Sequence, residues 1–301
     1  RAAHGRAQER ARRDMTLHRV ASLCAGSAFF LLIAGAMVTS TGSGLAVPDW
    51  PLSYGQVFPP MKGGVFFEHG HRVIAFFVAL MTGILVFWVW ARESRRWVRT
   101  LAAAAAAGIL LQALLGGLTV LYGLPKTVSI AHACLGQTVF CLLVAIAHAT
   151  ASPPDAPSRP SEGPGSLGRL WVAGAAAVAL LFVQLVLGAS LRHTGKGLIP
   201  HLLGAVAVFA AVAWTAYEAY SSDGARPGLL RPAAVLLLLL PVQFLLGLAA
   251  LTVRSHRVAA LSWPTALTAA HLACGAALLA LAVLWTLNAA PRFLERPRET
   301  A

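Results

Sequence analysis

Four of the ten histidines in the chain, His71, His132, His201 and His271, recur at matching places. Each falls near the start of a long apolar segment, just after a polar loop. Paired imidazoles inside a helical membrane bundle are the usual way to hold a heme iron from both faces. A lone intramembrane histidine is often only a hydrogen-bonded packing residue. Four at equivalent positions point instead to heme or metal ligation. Zinc is the weaker reading, because its sites draw three or four ligands from Cys, His or carboxylate rather than two imidazoles.

The run Glu68-His69-Gly70-His71-Arg72 adds a carboxylate to the first of these positions. Glu68 and His71, at i and i+3, share a helix face, which would set the carboxylate beside a ligand; an interfacial Glu68–Arg72 ion pair is the competing reading. His69, two residues from His71, points about 200° away on a helix and cannot share the ligating face. The later histidines have no such neighbour: Gly197, Leu198, Ile199 and Pro200 precede His201, and Thr268 stands three before His271. Two histidine pairs alike in ligands but unlike in their acids suggest one reactive site and one that stores or passes electrons.

These side chains must be positioned by membrane-spanning helices. Hydrophobic residues make up 57% of 301 positions and charged residues 12%, in blocks long enough for eight spans of about 20 residues each. The expected spans are 20–41, 70–91, 100–121, 128–149, 169–190, 199–220, 232–252 and 265–287. Gln112 and Gly116, Gln184 and Gly188, and Gln243 and Gly247 repeat a Gln-x-x-x-Gly pattern in spans three, five and seven. Span one carries a weaker copy, with Leu31 and Gly35 in those places. On one helix face the Gly admits a close neighbour and the Gln can hydrogen-bond inside the bundle. The repeating unit is therefore a helical hairpin, present four times. The expected fold is an all-α polytopic membrane protein of two pseudo-twofold-related four-helix bundles.

The division expected from composition is a basic arm (1–19), an N-terminal bundle (20–149), a Pro/Ser/Gly-rich flexible linker (150–168), a C-terminal bundle (169–288) and a tail (289–301). Most of the 24 Lys and Arg cluster in the arm, in the even-to-odd connections and in the tail. By the positive-inside rule both termini are cytoplasmic and all four histidines lie toward the outer side. The net charge of +13 is thus topological, and nucleic acid is not an expected partner. A basic start leading into a full-length first span gives no sign of a cleavable signal peptide. Cys24, Cys134, Cys141 and Cys274 all fall in spans, so no disulfide is expected. Arg192 and Arg254 follow spans five and seven in outer loops, where they would either clamp heme propionates or snorkel to the interface.

Together these residues resemble the heme A synthase family of cytochrome oxidase assembly factors. The resemblance rests on Thr41-Gly-Ser-Gly-Leu45, Pro48-Asp-Trp-Pro51, Glu68-x-x-His71-Arg72, the Gln-x-x-x-Gly spans and the three remaining histidines, and it extends from span one to span eight. It implies oxidation of a ring methyl of heme O to a formyl group through hydroxylated intermediates. In that family the N-terminal half takes up heme O and the C-terminal half holds a heme b cofactor. Carried over, Glu68 becomes the catalytic carboxylate, His71 and His132 ligate the substrate heme, and His201 and His271 bind heme b iron. Arg72, Arg192, Arg254, Gln112, Gln184 and Gln243 become candidate propionate or pocket contacts. The implied partners are heme O synthase as donor, an electron-transfer partner and the lipid bilayer of the inner membrane; a homo-oligomer is compatible. Many bacterial members carry two cysteines in the first outer loop where this chain has Val47 and Ser53, so a disulfide-based redox role is not expected here. The competing classes are a quinol-oxidising diheme cytochrome and a heme carrier. A heme O-forming prenyltransferase is disfavoured because Asp14, Asp49, Asp155 and Asp223 do not cluster for magnesium diphosphate.

Overall fold

The computed structural model describes residues 2–151, 164–222, 227–253 and 262–290, with side chains from Met15 in the first helix and from Gly168 in the fifth. Eight helices follow one another: α1 (Ala2–Ser40), α2 (Gly64–Arg92), α3 (Arg96–Leu121), α4 (Lys126–Thr150), α5 (Pro164–Thr194), α6 (Leu198–Ser221), α7 (Pro227–Thr252) and α8 (Trp263–Ala289). All eight contain a stretch long and apolar enough to cross a membrane, and the chain is a multi-pass membrane protein.

The helices form two rings. In the first, α1 packs on α2, α2 on α3, α3 on α4 and α4 back on α1; α5 to α8 close a second ring in the same order. The rings meet through α1 against α8, α4 against α5 and α4 against α8. Exchanging α1 with α5 and α4 with α8 maps this set of contacts onto itself, as a pseudo-twofold axis between the halves requires. The paired bundles expected from the hairpin repeat are thus present. Small residues make the closest approaches: Ala21, Ala25 and Ala28 of α1 are buried together with Ala276 and Ala280 of α8. Large apolar groups such as Phe76, Phe77, Phe87, Leu110 and Phe209 remain exposed on the outside. That inversion is the arrangement for a lipid solvent, in which packing of small residues rather than burial of large ones joins helices.

Several boundaries differ from the sequence expectation, each for a local reason. The segment read as a separate basic arm is helical and continuous with span one, since its Ala, Gln, Glu and Arg are strong helix formers. The α2 helix begins at Gly64 rather than near residue 70, so Glu68 through Arg72 is helical. Helix α5 begins at Pro164, inside the stretch read as linker, where proline suits a first turn that lacks N–H partners. Residues 152–163 of that stretch lie outside the described residues. Pro232 and Pro241 sit inside α7 without ending it, as neighbouring helices permit in membranes.

At the end of the molecule opposite the histidines, Glu93 closes α2 and is 3% exposed. Both its oxygens accept from Arg95, at 2.9 Å from Nε and 2.6 Å from Nη2, and Arg95 also donates to the carbonyl of Ala149 at the end of α4. Burial pushes the Glu93 carboxyl up, but the hydrogen bonds and charge of Arg95 outweigh it and hold the group below the usual carboxylate range. A depressed folded value means that this pair stabilises the protein above the ordinary glutamate pKa and that the contribution fades as pH falls through the folded value. Glu93→Gln is expected to lower stability by roughly 3 kcal/mol at neutral pH. Thermal unfolding in detergent across a pH series should show the deficit shrinking below about pH 4; a deficit independent of pH would assign it to packing.

Candidate functional site

The two rings carry their histidines on diagonal helices. In the second ring, His201 of α6 and His271 of α8 meet across the interior with ring centroids 6.4 Å apart and planes at 76°. Two imidazoles bound through nitrogen at about 2 Å to one metal have centroids roughly 6 Å apart, so the pair has the separation that a shared axial iron requires. His271 Nδ1 lies 3.1 Å from the carbonyl oxygen of Gln243. A carbonyl can only accept, so Nδ1 carries the proton and Nε2 keeps its lone pair, the tautomer in which a histidine ligates. In the first ring, His71 of α2 and His132 of α4 occupy the corresponding places, each against a glycine of the preceding helix.

The Gln-x-x-x-Gly repeat explains how the imidazoles are seated. A Cβ built on Gly188 would lie 3.0 Å from His201 Cε1, on Gly247 2.8 Å from His271 Cε1, and on Gly116 3.3 Å from His132 Cε1. On Gly35 it would lie 3.0 Å from His71 Nε2. Each odd helix therefore offers a bare backbone against which the next helix lays its imidazole. The glutamines reach the other way. Gln112 Nε2 donates to the carbonyl of His132 at 2.9 Å, and Gln184 Nε2 to that of His201 at 2.8 Å. Facing them are Gly136, Gly204 and Gly275, where a Cβ would crowd Gln112, Gln184 and Gln243 respectively. These glycines, three or four residues after a histidine, were visible in the sequence but had no meaning until the helices were paired. The four glutamine-position residues also separate the first hairpin from the rest: Leu31 stands where the others have glutamine.

Several polar atoms in these pockets have no protein partner: Nδ1 of His132 and of His201, and Oε1 of Gln112, Gln184 and Gln243. Buried polar groups are rarely left unsatisfied, and these sit beside the histidines of both rings. Among the described residues no three His, Cys, Asp or Glu side chains gather as a metal-binding group; the ligating side chains come in twos. The four cysteines are free.

Glu68 is 4% exposed, and both its oxygens are engaged. Oε1 pairs with Arg72 Nη2 at 2.6 Å, and Oε2 accepts from the N–H of Val47 at 2.9 Å. Arg72 Nη1 donates onward to the carbonyls of Asp49 and Leu52 at 2.8 and 2.7 Å. His69, pointing away from His71 as its spacing requires, shares a 2.8 Å hydrogen bond between Nδ1 and Ser53 Oγ. Within the loop, the Asp49 carboxylate accepts from the N–H groups of Gly55 and Tyr54, each at 2.7 Å. The Gly55 bond, opposed by slight desolvation and aided by Tyr54 and Arg72, holds the Asp49 carboxyl below its usual range. The loop between α1 and α2 is thus fastened to the second and third turns of α2 by Glu68, His69 and Arg72. Trp50 of that loop lies over Gly117, whose added Cβ would meet the indole at 2.9 Å, next to the Gly116 that seats His132. The Glu68–Arg72 ion pair, one of the two readings of this motif in the sequence, is present.

One expectation is corrected: Arg192 does not lie in a loop but in the last turn of α5. Arg192 Nη2 turns inward to α1, donating to the carbonyl of Ala36 at 3.2 Å and to Ser40 Oγ at 2.7 Å, because the unpaired carbonyls at a helix C-terminus attract a cation. Ser40 Oγ in turn lies 2.8 Å from Thr268 Oγ1 of α8. Arg254 and His256 lie outside the described residues.

Comparison with known proteins gives a consistent result. A family model described as cytochrome oxidase assembly protein (COX15-CtaA) matches residues 18–201. The chain is similar to proteins named heme A synthase from Bacillus licheniformis (33% identical over 105 residues, 34% of this chain and 35% of the relative) and from Caulobacter vibrioides (33% over 140 residues, 42% and 39%). A heme A synthase from Symbiobacterium thermophilum is 32% identical over 175 residues, 54% of this chain and 55% of the relative. The matched part thus spans between about a third and just over half the length of these relatives.

Proposed function

Because the chain belongs to the cytochrome oxidase assembly protein family, we propose that it is a heme A synthase, oxidising a methyl group of heme O to a formyl group through hydroxylated intermediates. What supports this reading is the unequal placing of an acid among four equivalent histidines: each packs against a glycine of the preceding helix, and only His71 has a buried carboxylate, Glu68, three residues before it. A plain electron-transfer cytochrome has no use for Glu68. The relatives named heme A synthase support the same substrate class.

The residues divide the work as follows. His71 and His132 hold the iron of heme O, and Glu68 faces the reacting edge. Methyl-to-formyl oxidation removes electrons and protons from one carbon, and positive charge grows there as electrons leave. A carboxylate within the pocket stabilises that charge and takes the proton of an attacking water. Although its oxygens already accept from Arg72 and Val47, a carboxylate retains further lone pairs. Arg72, His69 and Trp50 keep the first outer loop over this pocket and exclude bulk water. His201 and His271 fit heme b by their separation and by the proton state of His271. A heme held by two histidines supplies one-electron storage. Gln184 and Gln243 fix the helices that present those ligands, and Gln112 does so for His132.

The excess of arginine at the even-to-odd connections orients the molecule with its termini in the cytoplasm and both pockets toward the outer face of the inner membrane. Its partners in this reading are a heme O synthase and an electron acceptor.

The test is co-expression with a heme O producer followed by chromatography of extracted hemes. Wild type should yield heme b together with heme A or its hydroxylated precursor, and His71→Ala should yield heme b without new product. Heme b alone in both pockets, reducible by a quinol, would replace this reading with that of a diheme cytochrome.

A further inference from the structure

The pseudo-twofold relation between the halves makes every departure from it informative, and the largest departure among the described pocket residues outside the first loop is a charge. Arg192 stands four residues after Gly188, the glycine that seats His201. The residue four after Gly35, the glycine that seats His71, is Thr39, which merely returns its hydroxyl to the carbonyl of Gly35 at 3.3 Å. On the partner helices, Thr268 precedes His271 by three and Ser129 precedes His132 by three. Thr268 is joined through Ser40 to Arg192, whereas Ser129 Oγ is buried without a partner. The same offsets place Thr39, His193 and Ser129 at the N-terminal pocket, so the copy of the chain Arg192–Ser40–Thr268 has no arginine there. The arginine that pocket does have, Arg72, is neutralised by Glu68 at 2.6 Å. No carboxylate pairs with Arg192 among the described residues, whose guanidinium is held by neutral oxygens only.

We propose that Arg192 is an electrostatic positioning residue that holds the reduction potential of a heme at His201 and His271 above that of a heme at His71 and His132. This rests on the reading of both pockets as heme sites. A fixed positive charge in a medium of low dielectric favours the form of a nearby centre that carries less positive charge, which for iron is the reduced one. Geometry keeps the charge close: Arg192 lies one turn beyond Gly188 on α5, and its hydrogen-bonded chain ends on α8 one turn before His271. The Glu68–Arg72 pair adds no net charge at the N-terminal pocket. Of two like hemes, the one in the C-terminal pocket is the better electron acceptor, so a direction for electrons between the halves is built into the protein.

The experiment is an optical redox titration of the full-length protein purified in detergent with its bound heme b. Arg192→Gln, which keeps an amide donor for α1 but removes the charge, should shift the one-electron equilibrium at least tenfold toward the oxidised form, a fall of about 59 mV in midpoint. Arg192→Lys should stay near wild type. Thr268→Lys leaves Arg192 in place and adds a second cation at the other end of the chain; its midpoint should rise. An unchanged midpoint in Arg192→Gln, an equal fall in Arg192→Lys, or no rise in Thr268→Lys would each overturn the proposal. Loss of the low-spin spectrum in His201→Ala tests the heme reading itself, so the two fail on different measurements.

Discussion

His271→Ala protein, purified from the membrane, is expected to lose one of the two heme equivalents and with it the capacity for repeated turnover. The structure gives the reason for expecting the loss to be complete. His271 is fixed by a hydrogen bond from Nδ1 to the carbonyl of Gln243, by close contact with Gly247 and by its position across from His201. Removing it leaves His201 as a single ligand, and the iron changes from a low-spin to a high-spin or empty state. Pyridine hemochrome quantification and the visible spectrum measure this directly. Retention of a full low-spin heme b complement would show that the C-terminal pair is not the cofactor site. A small packing defect is expected as well, because a side chain is lost from a helix contact, but α8 keeps its contacts with α5, α7, α1 and α4 and the variant should remain folded.

Glu68→Gln is the second large effect. Loss of a positioned acid–base group typically costs on the order of a hundred- to ten-thousand-fold in rate, and heme content should be nearly unchanged because neither histidine is touched. The carboxylate has a second task, however, since Arg72 and the N–H of Val47 both bind it. An amide cannot accept from both as well as a carboxylate, so the first outer loop loosens too. Ser53→Ala separates the two contributions: it removes the His69 contact of the same loop while leaving Glu68 intact. If Glu68 acts on the reacting carbon, Glu68→Gln lowers kcat far more than Ser53→Ala, whose effect should fall mainly on KM. Equal effects on kcat would reduce Glu68 to a loop anchor. A Glu68→Gln protein with normal heme content and full turnover would remove it from the chemistry altogether.

Much of this arrangement was legible in the residues themselves. Apolar blocks of membrane-spanning length found all eight helices, because a bilayer leaves a helix no other way to satisfy its backbone. The recurrence of Gln112, Gln184 and Gln243 with their glycines revealed the hairpin repeat and thereby the two rings. What sequence could not supply was the partner of each side chain. Glycine at position 136, 204 or 275 is one small residue among many until Gln112, Gln184 and Gln243 are seen lying over them. Glu68 and Arg72 showed their own spacing but not that Val47, Asp49 and Leu52, about twenty residues earlier, complete the cluster. Arg192 was misplaced because an arginine after an apolar run looks like a loop or interface residue; the carbonyl of Ala36 that draws it inward belongs to a helix more than a hundred residues away.

The missing glutamine of the first hairpin has a kinetic meaning. Two of the four histidine-bearing helices, α4 and α6, are tied to the helix before them by a glutamine amide that donates to the histidine's own backbone carbonyl, and in α8 the imidazole bonds the backbone carbonyl of Gln243. Only α2, which carries His71, faces a leucine there, so no glutamine ties its backbone to the helix before it. A cofactor must stay through many cycles, whereas a substrate must arrive and depart once in each. The hairpin without this tie lies in the half proposed to bind the substrate, so on frameworks that are otherwise near copies a substrate heme is expected to leave faster than a cofactor heme.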